Sequence, residues 1–291
     1  MCDERTAKDT EKFLRRNALT RREFGKRGAG VALVMMLPPV ANALDVVEQD
    51  VMVETPDGMA DCYFVHPASG SHAAVIIWPD IVGIRQAFRD MGKRLAESGY
   101  SVLVVNPYYR TVKGAAVPEG KGFRDPGIRD LLMPHARSLS PETCVTDGRA
   151  FVSYLDQQES VDTNRKIGTT GYCMTGSYTM RLAAAIPDRI GAGGSFHGGG
   201  LATDKDDSPH LLASKMKAGF LIAIAGNDDE HDPDAKVLLR EAFDANDVSA
   251  EIEVYKDTLH GWCPPDSAVY NEAQAERAWS RLLALFEREL S

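Results

Sequence analysis

Two rhythms of hydrophobic and polar positions alternate along this chain from residue 51 onward. Continuous apolar runs at 73–78, 101–105 and 220–225 suit strands covered on both faces. Between them, residues 85–98 place Phe88, Met91 and Leu95 at helical spacing, and the last segment does the same with Ala275, Ala278, Leu282 and Leu285. Ser140-Pro141 reads as an N-cap followed by proline at the first helical position, opening a helix to about Asp156. Further strands are predicted at 166–171, 191–196 and 250–255, with helices over 176–186 and from Asp232-Pro233.

The body opens differently. Short strands at 51–54 and 62–66 flank Pro56-Asp57-Gly58 and predict a hairpin. A hairpin followed by alternating strands and helices predicts an α/β fold in one domain: a mostly parallel sheet with helices on both faces. Residues 108–139 carry Lys113-Gly114, Glu119-Gly120, Lys121-Gly122 and Pro126-Gly127 with little periodicity. They are expected to form a long loop over the ligand-binding end of the sheet.

The first 43 residues read as an address. Thr20-Arg21-Arg22-Glu23-Phe24-Gly25-Lys26 resembles a twin-arginine export motif, and an apolar stretch over 28–37 follows it. That stretch is too short for a stable membrane span, which needs about 20 residues. Ala41-Asn42-Ala43 offers a small-x-small cleavage site, dividing the chain into a signal peptide, 1–43, and a catalytic body, 44–291. The twin-arginine translocase is then a transient partner and the destination periplasmic or secreted. The alternative is an amphipathic N-terminal helix lying on the fold.

Charge narrows the ligand class. The net charge is −9, yet the first 43 residues hold nine Lys/Arg against five Asp/Glu, so the body carries about −13. No basic stripe is present beyond residue 43, which argues against nucleic acid. The five cysteines, Cys2, Cys62, Cys144, Cys173 and Cys263, form no CxxC pair, and a bridge among Cys62, Cys144 and Cys263 is left open.

The chemistry is concentrated at strand ends. Gly171-Tyr172-Cys173-Met174-Thr175-Gly176 joins a predicted strand to a predicted helix, the setting of a nucleophile elbow. The following helix N-terminus points N–H groups and positive dipole toward Cys173 and favours a thiolate. A later strand runs into Gly226-Asn227-Asp228, and the one after it ends before Leu259-His260-Gly261. The order nucleophile, acid, histidine is that of α/β-hydrolases.

With these three motifs and Pro79-Asp80-Ile81-Val82-Gly83, the chain resembles the dienelactone hydrolase family over its whole mature body. The resemblance implies cleavage of a small ester or lactone. Cys173 is then nucleophile, His260 general base and Asp228 its orienting acid, with an oxyanion hole from the backbone N–H groups of Met174 and Ile81. Asp80 stands where the family has a thiol-gating glutamate, and Pro264 where it has a carboxylate-binding arginine. Thr175 replaces a usual glycine.

Arg110 and Arg124 are candidates for a substitute carboxylate clamp, as is Arg129, and Trp262 and Met174 are candidate pocket walls. His197 precedes the acid in the chain and reads as pocket wall or structural. The cluster 228–232 resembles a metal site, but the acid role of Asp228 and helix capping by Asp232 account for it, so no metal or cofactor is expected. Two other functions stay open: a thioesterase or broader acyl hydrolase, and a non-catalytic ligand-binding relative.

Overall fold

A computed structural model describes residues 5, 6, 8–15 and 37–291. The twin-arginine motif and most of the apolar stretch behind it lie outside the described residues. Strands β1 (Val46–Thr55) and β2 (Gly58–Pro67) form the opening hairpin, with Pro56-Asp57 as its two-residue connection. Both strands are longer than the sequence pattern predicts. The extra length of β1 holds Glu48, Gln49 and Asp50, polar because β1 is the sheet edge and faces water.

Then follow β3 (Ala74–Trp78), α1 (Gln86–Glu97), β4 (Ser101–Val105), α2 (Ile128–Arg137), α3 (Pro141–Leu155), β5 (Ile167–Tyr172), α4 (Gly176–Ala185) and β6 (Ile190–Phe196). The chain closes with β7 (Gly219–Ala225), α5 (Gly226–His231), α6 (Ala235–Asp244), β8 (Ala250–Tyr255) and α7 (Glu272–Glu289). The eight strands lie in the order β1-β2-β4-β3-β5-β6-β7-β8. Pairs β1/β2 and β2/β4 are antiparallel and the rest are parallel.

The parallel strands are apolar throughout because both faces are covered. Along β3, Ala74, Ile76 and Trp78 enter one cluster with Phe151 of α3, Met180 of α4 and Phe243 of α6. The alternate residues Val75 and Ile77 enter the opposite cluster with Phe88 of α1 and Phe286 of α7. Such side chains each stabilise the fold by about 1.5–3 kcal/mol when buried.

Ser140 caps α3 as expected, its Oγ accepting the Thr143 N–H at 3.2 Å while Thr143 Oγ1 accepts the Ser140 N–H at 2.8 Å. Asp232, however, caps no helix start. It ends the six-residue α5, with an extended φ of −142° forced by Pro233 behind it, and α6 begins only at Ala235. The segment 108–139 likewise contains a helix, α2, which Gly127 enters at φ 79° and which carries Pro134 inside it.

Candidate active site

The segments that follow β3 to β8 meet at the carboxyl ends of the parallel strands, where open α/β sheets bind ligands. The strand-to-helix turn after β5 is the tightest. Cys173 sits at φ 57°, a left-handed conformation that is uncommon for any residue but glycine, and opens a 3₁₀ turn, Cys173–Thr175, leading into α4. The turn closes only because its neighbours lack side chains. A Cβ on Gly171 would lie 2.2 Å from the backbone oxygen of Thr175, and one on Gly176 would lie 2.5 Å from the Cα of Gly198.

Thr175 is the fastener of this turn. Fully buried, its Oγ1 accepts the Tyr172 N–H at 2.9 Å, and its hydroxyl lies within reach of the carbonyls of Trp78 (2.9 Å), Pro79 (3.0 Å) and Tyr172 (2.9 Å). The residue that departs from the family's glycine therefore joins the end of β5 to the end of β3. A mid-turn threonine carries no sequence signal for this, because its partners are 96 and 97 residues away.

Cys173, His260 and Asp228 come together around that turn. Asp228 Oδ2 lies 2.8 Å from His260 Nδ1, and the His260 ring is hydrogen-bonded to the Cys173 thiol. Both Cys173 and His260 are buried, at 2% and 4% exposure. Burial opposes charge on His260, yet negative charge at Cys173 and the hydrogen bonds to Asp228 and Cys173 outweigh it and raise its pKa to about 10. The ring is thus set to hold a proton beside sulfur. The other described cysteines form no disulfide and are buried, and burial pushes Cys62 up to about 12 and raises Cys144 and Cys263 well above the ordinary thiol value.

The acid and histidine loops are stitched to each other by the motif residues Gly226 and Asn227 and by Thr258, which no motif includes. Asn227 Oδ1 accepts the His260 backbone N–H at 2.8 Å, and the Gly226 N–H reaches Thr258 Oγ1 at 3.2 Å. Asn227 also donates to Asp9 at 3.2 Å, and Asp9 lies 3.0 Å from His231 Nε2, so the N-terminal segment 8–15 rests on α5. Asp229 pairs with Lys236. The acidic run 228–232 is therefore divided among separate partners.

Asp80 is placed in a bridge. Its two oxygens accept from Arg85 at 2.8 and 3.1 Å and from the Val82 N–H at 2.9 Å, while Arg85 also donates to Asp266 at 2.6 and 3.0 Å. Arg85 thereby ties the loop after β3 to the loop after His260. The backbone of Ile81 lies next in that loop, its carbonyl accepting the Tyr108 hydroxyl at 2.8 Å. Tyr108 also reaches the sulfur of Met174 at 3.8 Å, and all three belong to a cluster with Val117, Ile128 and Leu132. The long segment after β4 thus packs onto both expected oxyanion donors.

Other expected site residues fall elsewhere. The guanidinium of Arg110 is held by Asp147 at 2.6 and 2.8 Å and by Asp57 at 2.5 and 3.0 Å, so two carboxylates already match it. Arg124 donates to Thr10. Trp262 is fully buried in the core, stacked on Tyr255 with ring centroids 4.7 Å apart and 6.5 Å from the ring of His197.

Sheet order, elbow and clustered loops define an α/β-hydrolase architecture. The sequence profile of the dienelactone hydrolase family matches residues 60–290, and the chain belongs to that family. It is similar to the carboxymethylenebutenolidase of Rhodococcus opacus, 26% identical over 235 residues that cover 78% of this chain and 86% of that one. A solved structure from Klebsiella pneumoniae, provisionally named a dienelactone hydrolase, superposes with a TM-score of 0.71 at 22% identity, covering 84% and 99% of the two chains. The dienelactone hydrolase of Anabaena variabilis gives 0.59 at 16% identity, over 84% and 99%.

Two outcomes follow from this geometry. Thr175→Val keeps the shape but strands the Tyr172 N–H, and is expected to cost about 1–3 kcal/mol in urea unfolding. His260 has a folded-state pKa above its unfolded value of about 6.5, so its contribution to stability is full below that pH and is lost as pH rises to about 10. Unfolding midpoints of the wild type are expected to fall toward those of His260→Gln across this window; a constant gap between the two would contradict the assignment.

Proposed function

We propose that this chain hydrolyses a carboxylic ester or lactone through an acyl-enzyme on Cys173, with His260 as proton carrier and Asp228 as its orienting partner. The observation that supports the reading above all is the hydrogen-bonded series Asp228–His260–Cys173 at the head of a strained turn. Sulfur attacks the carbonyl carbon, and the carbonyl electrons move onto oxygen, facing the N–H groups of Met174 and Ile81. On collapse the alkoxide leaves and takes the proton from His260. Water then gives a proton to His260 and its oxygen to the acyl carbon, releasing the acid and the thiolate.

The substrate we assign is uncharged near the reacting carbonyl. Arg85 and Arg110 are each engaged by two carboxylates, and Pro264 occupies the position where the family resemblance calls for an arginine. A carboxylate-bearing lactone would meet an acidic surround with those two cations already matched.

Cys173→Ala is expected to lower turnover of p-nitrophenyl acetate by on the order of 10³-fold or more, with an unchanged fold by circular dichroism. Full turnover in that variant would refute the reading. Preference for an acyl thioester over the matching oxygen ester would shift it to a thioesterase.

We further propose export through the twin-arginine route, supported by Arg21-Arg22 and by exposed Ala41, Asn42 and Ala43 ahead of β1. Replacing both arginines by lysine is expected to retain the full-length chain in the cytoplasm on cell fractionation, whereas unchanged export would exclude that route.

A further inference from the structure

His197 follows β6 and is the least explained polar group near the site. Its backbone N–H donates to Ala223 O at 2.8 Å, and two residues on the Gly199 N–H donates to Cys173 O at 3.2 Å, so this segment wraps the elbow. The side chain is fully buried at φ 40°, a left-handed backbone that a histidine adopts at a cost. Its ring meets the His260 ring at 5.0 Å between centroids and 73° between planes, with Trp262 at 6.5 Å. Neither ring nitrogen has a hydrogen-bond partner.

Leaving a buried donor or acceptor unpaired is costly, and a phenyl ring would fill the same space without that cost. A wall alone does not account for an imidazole here. Burial, and then the charge of His260, hold His197 neutral, so it offers one donor and one acceptor rather than a second cation beside His260.

The two histidines become complementary only after acylation. Once sulfur carries the acyl group, His260 loses its thiol partner and has a nitrogen ready to accept a proton. A water donating to that nitrogen needs further polar contacts to stay fixed, since buried waters make two to four. We propose that His197 is the second hydrogen-bonding partner of the water that attacks the acyl-Cys173 intermediate. The inference rests on the acyl-enzyme reading above. In the step, water breaks one O–H bond, the proton goes to His260, the oxygen bonds to the acyl carbon, and the C–S bond breaks with its electron pair returning to sulfur.

The test separates acylation from deacylation. Wild type, His197→Phe and His197→Gln are mixed with p-nitrophenyl acetate, and turnover is followed while acid-quenched samples are weighed intact and the adduct is mapped. His197→Phe is expected to turn over about tenfold more slowly or worse, with acetyl-Cys173 accumulating from a minor to the major species. His197→Gln, which restores a donor and an acceptor, is expected to return both readouts part-way, and hydroxylamine to release the acyl group from His197→Phe. Unchanged turnover, or slowed turnover with no added adduct, would overturn the proposal, as would His197→Gln matching His197→Phe.

Should His197→Phe fail to fold, His197→Asn is judged by the same ratio: adduct rising as turnover falls supports the role, and any other pattern removes it. Full turnover in Cys173→Ala, or an adduct mapping to another residue in wild type, would instead sink the acyl-enzyme reading itself.

Discussion

A single buried hydroxyl, that of Thr175, carries the contact on which the site's geometry turns. It joins the end of β5 to the end of β3, and so fixes the turn bearing Cys173 relative to the loop bearing Ile81. In a dry interior such a bond is stronger than in water and costly to leave unmade. The strain of Cys173 at φ 57° is tolerable because this hydroxyl and the glycines on either side over-determine the turn. Position 175 and position 176 divide the work: threonine supplies the bond, and Gly176 allows the close approach to Gly198.

Around this fixed point, the remaining loops are held by polar cross-links rather than by packing alone. Arg85 spans Asp80 and Asp266, and Asn227 receives the backbone N–H of His260. Both links run between loops that are distant in sequence; the Asn227–His260 bond is buried, and the bidentate Arg85–Asp266 pair reaches the surface on its Asp266 side. Removing Asp266 would leave Arg85 paired with Asp80 and free the loop after His260, and removing the Asn227 side chain would strand the buried His260 N–H. The high pKa of His260 is the electrostatic product of that order, since a mobile ring would not stay hydrogen-bonded to Asp228 and Cys173 at once.

The segment between β4 and α3 adds a cover. Tyr108 at its start is bonded to Ile81 and in contact with Met174, and α2 buries Ile128 and Leu132 against the same cluster. The cover over Ile81 and Met174 thus comes from a segment whose own sequence is glycine-rich and weakly patterned.

Much of this protein was legible before any coordinates. Both-face burial writes continuous apolar runs, so the parallel strands stand out, and their alternation with helices fixes the layered class. The three chemical motifs stand out too, because each lies just past a strand and in a defined chain order. Weakly periodic or solvent-facing stretches were less legible: the polar outer part of β1, the proline-containing α2, and the false start at Asp232. What only the tertiary structure decided are the long-range polar partners. Arg110 is matched by Asp57 and Asp147, Arg85 by Asp266, and Thr175 by the end of β3. Periodicity reports which face of an element is buried, but a hydrogen bond between residues a hundred positions apart depends on where the sheet order brings them, and no local pattern in the chain encodes that.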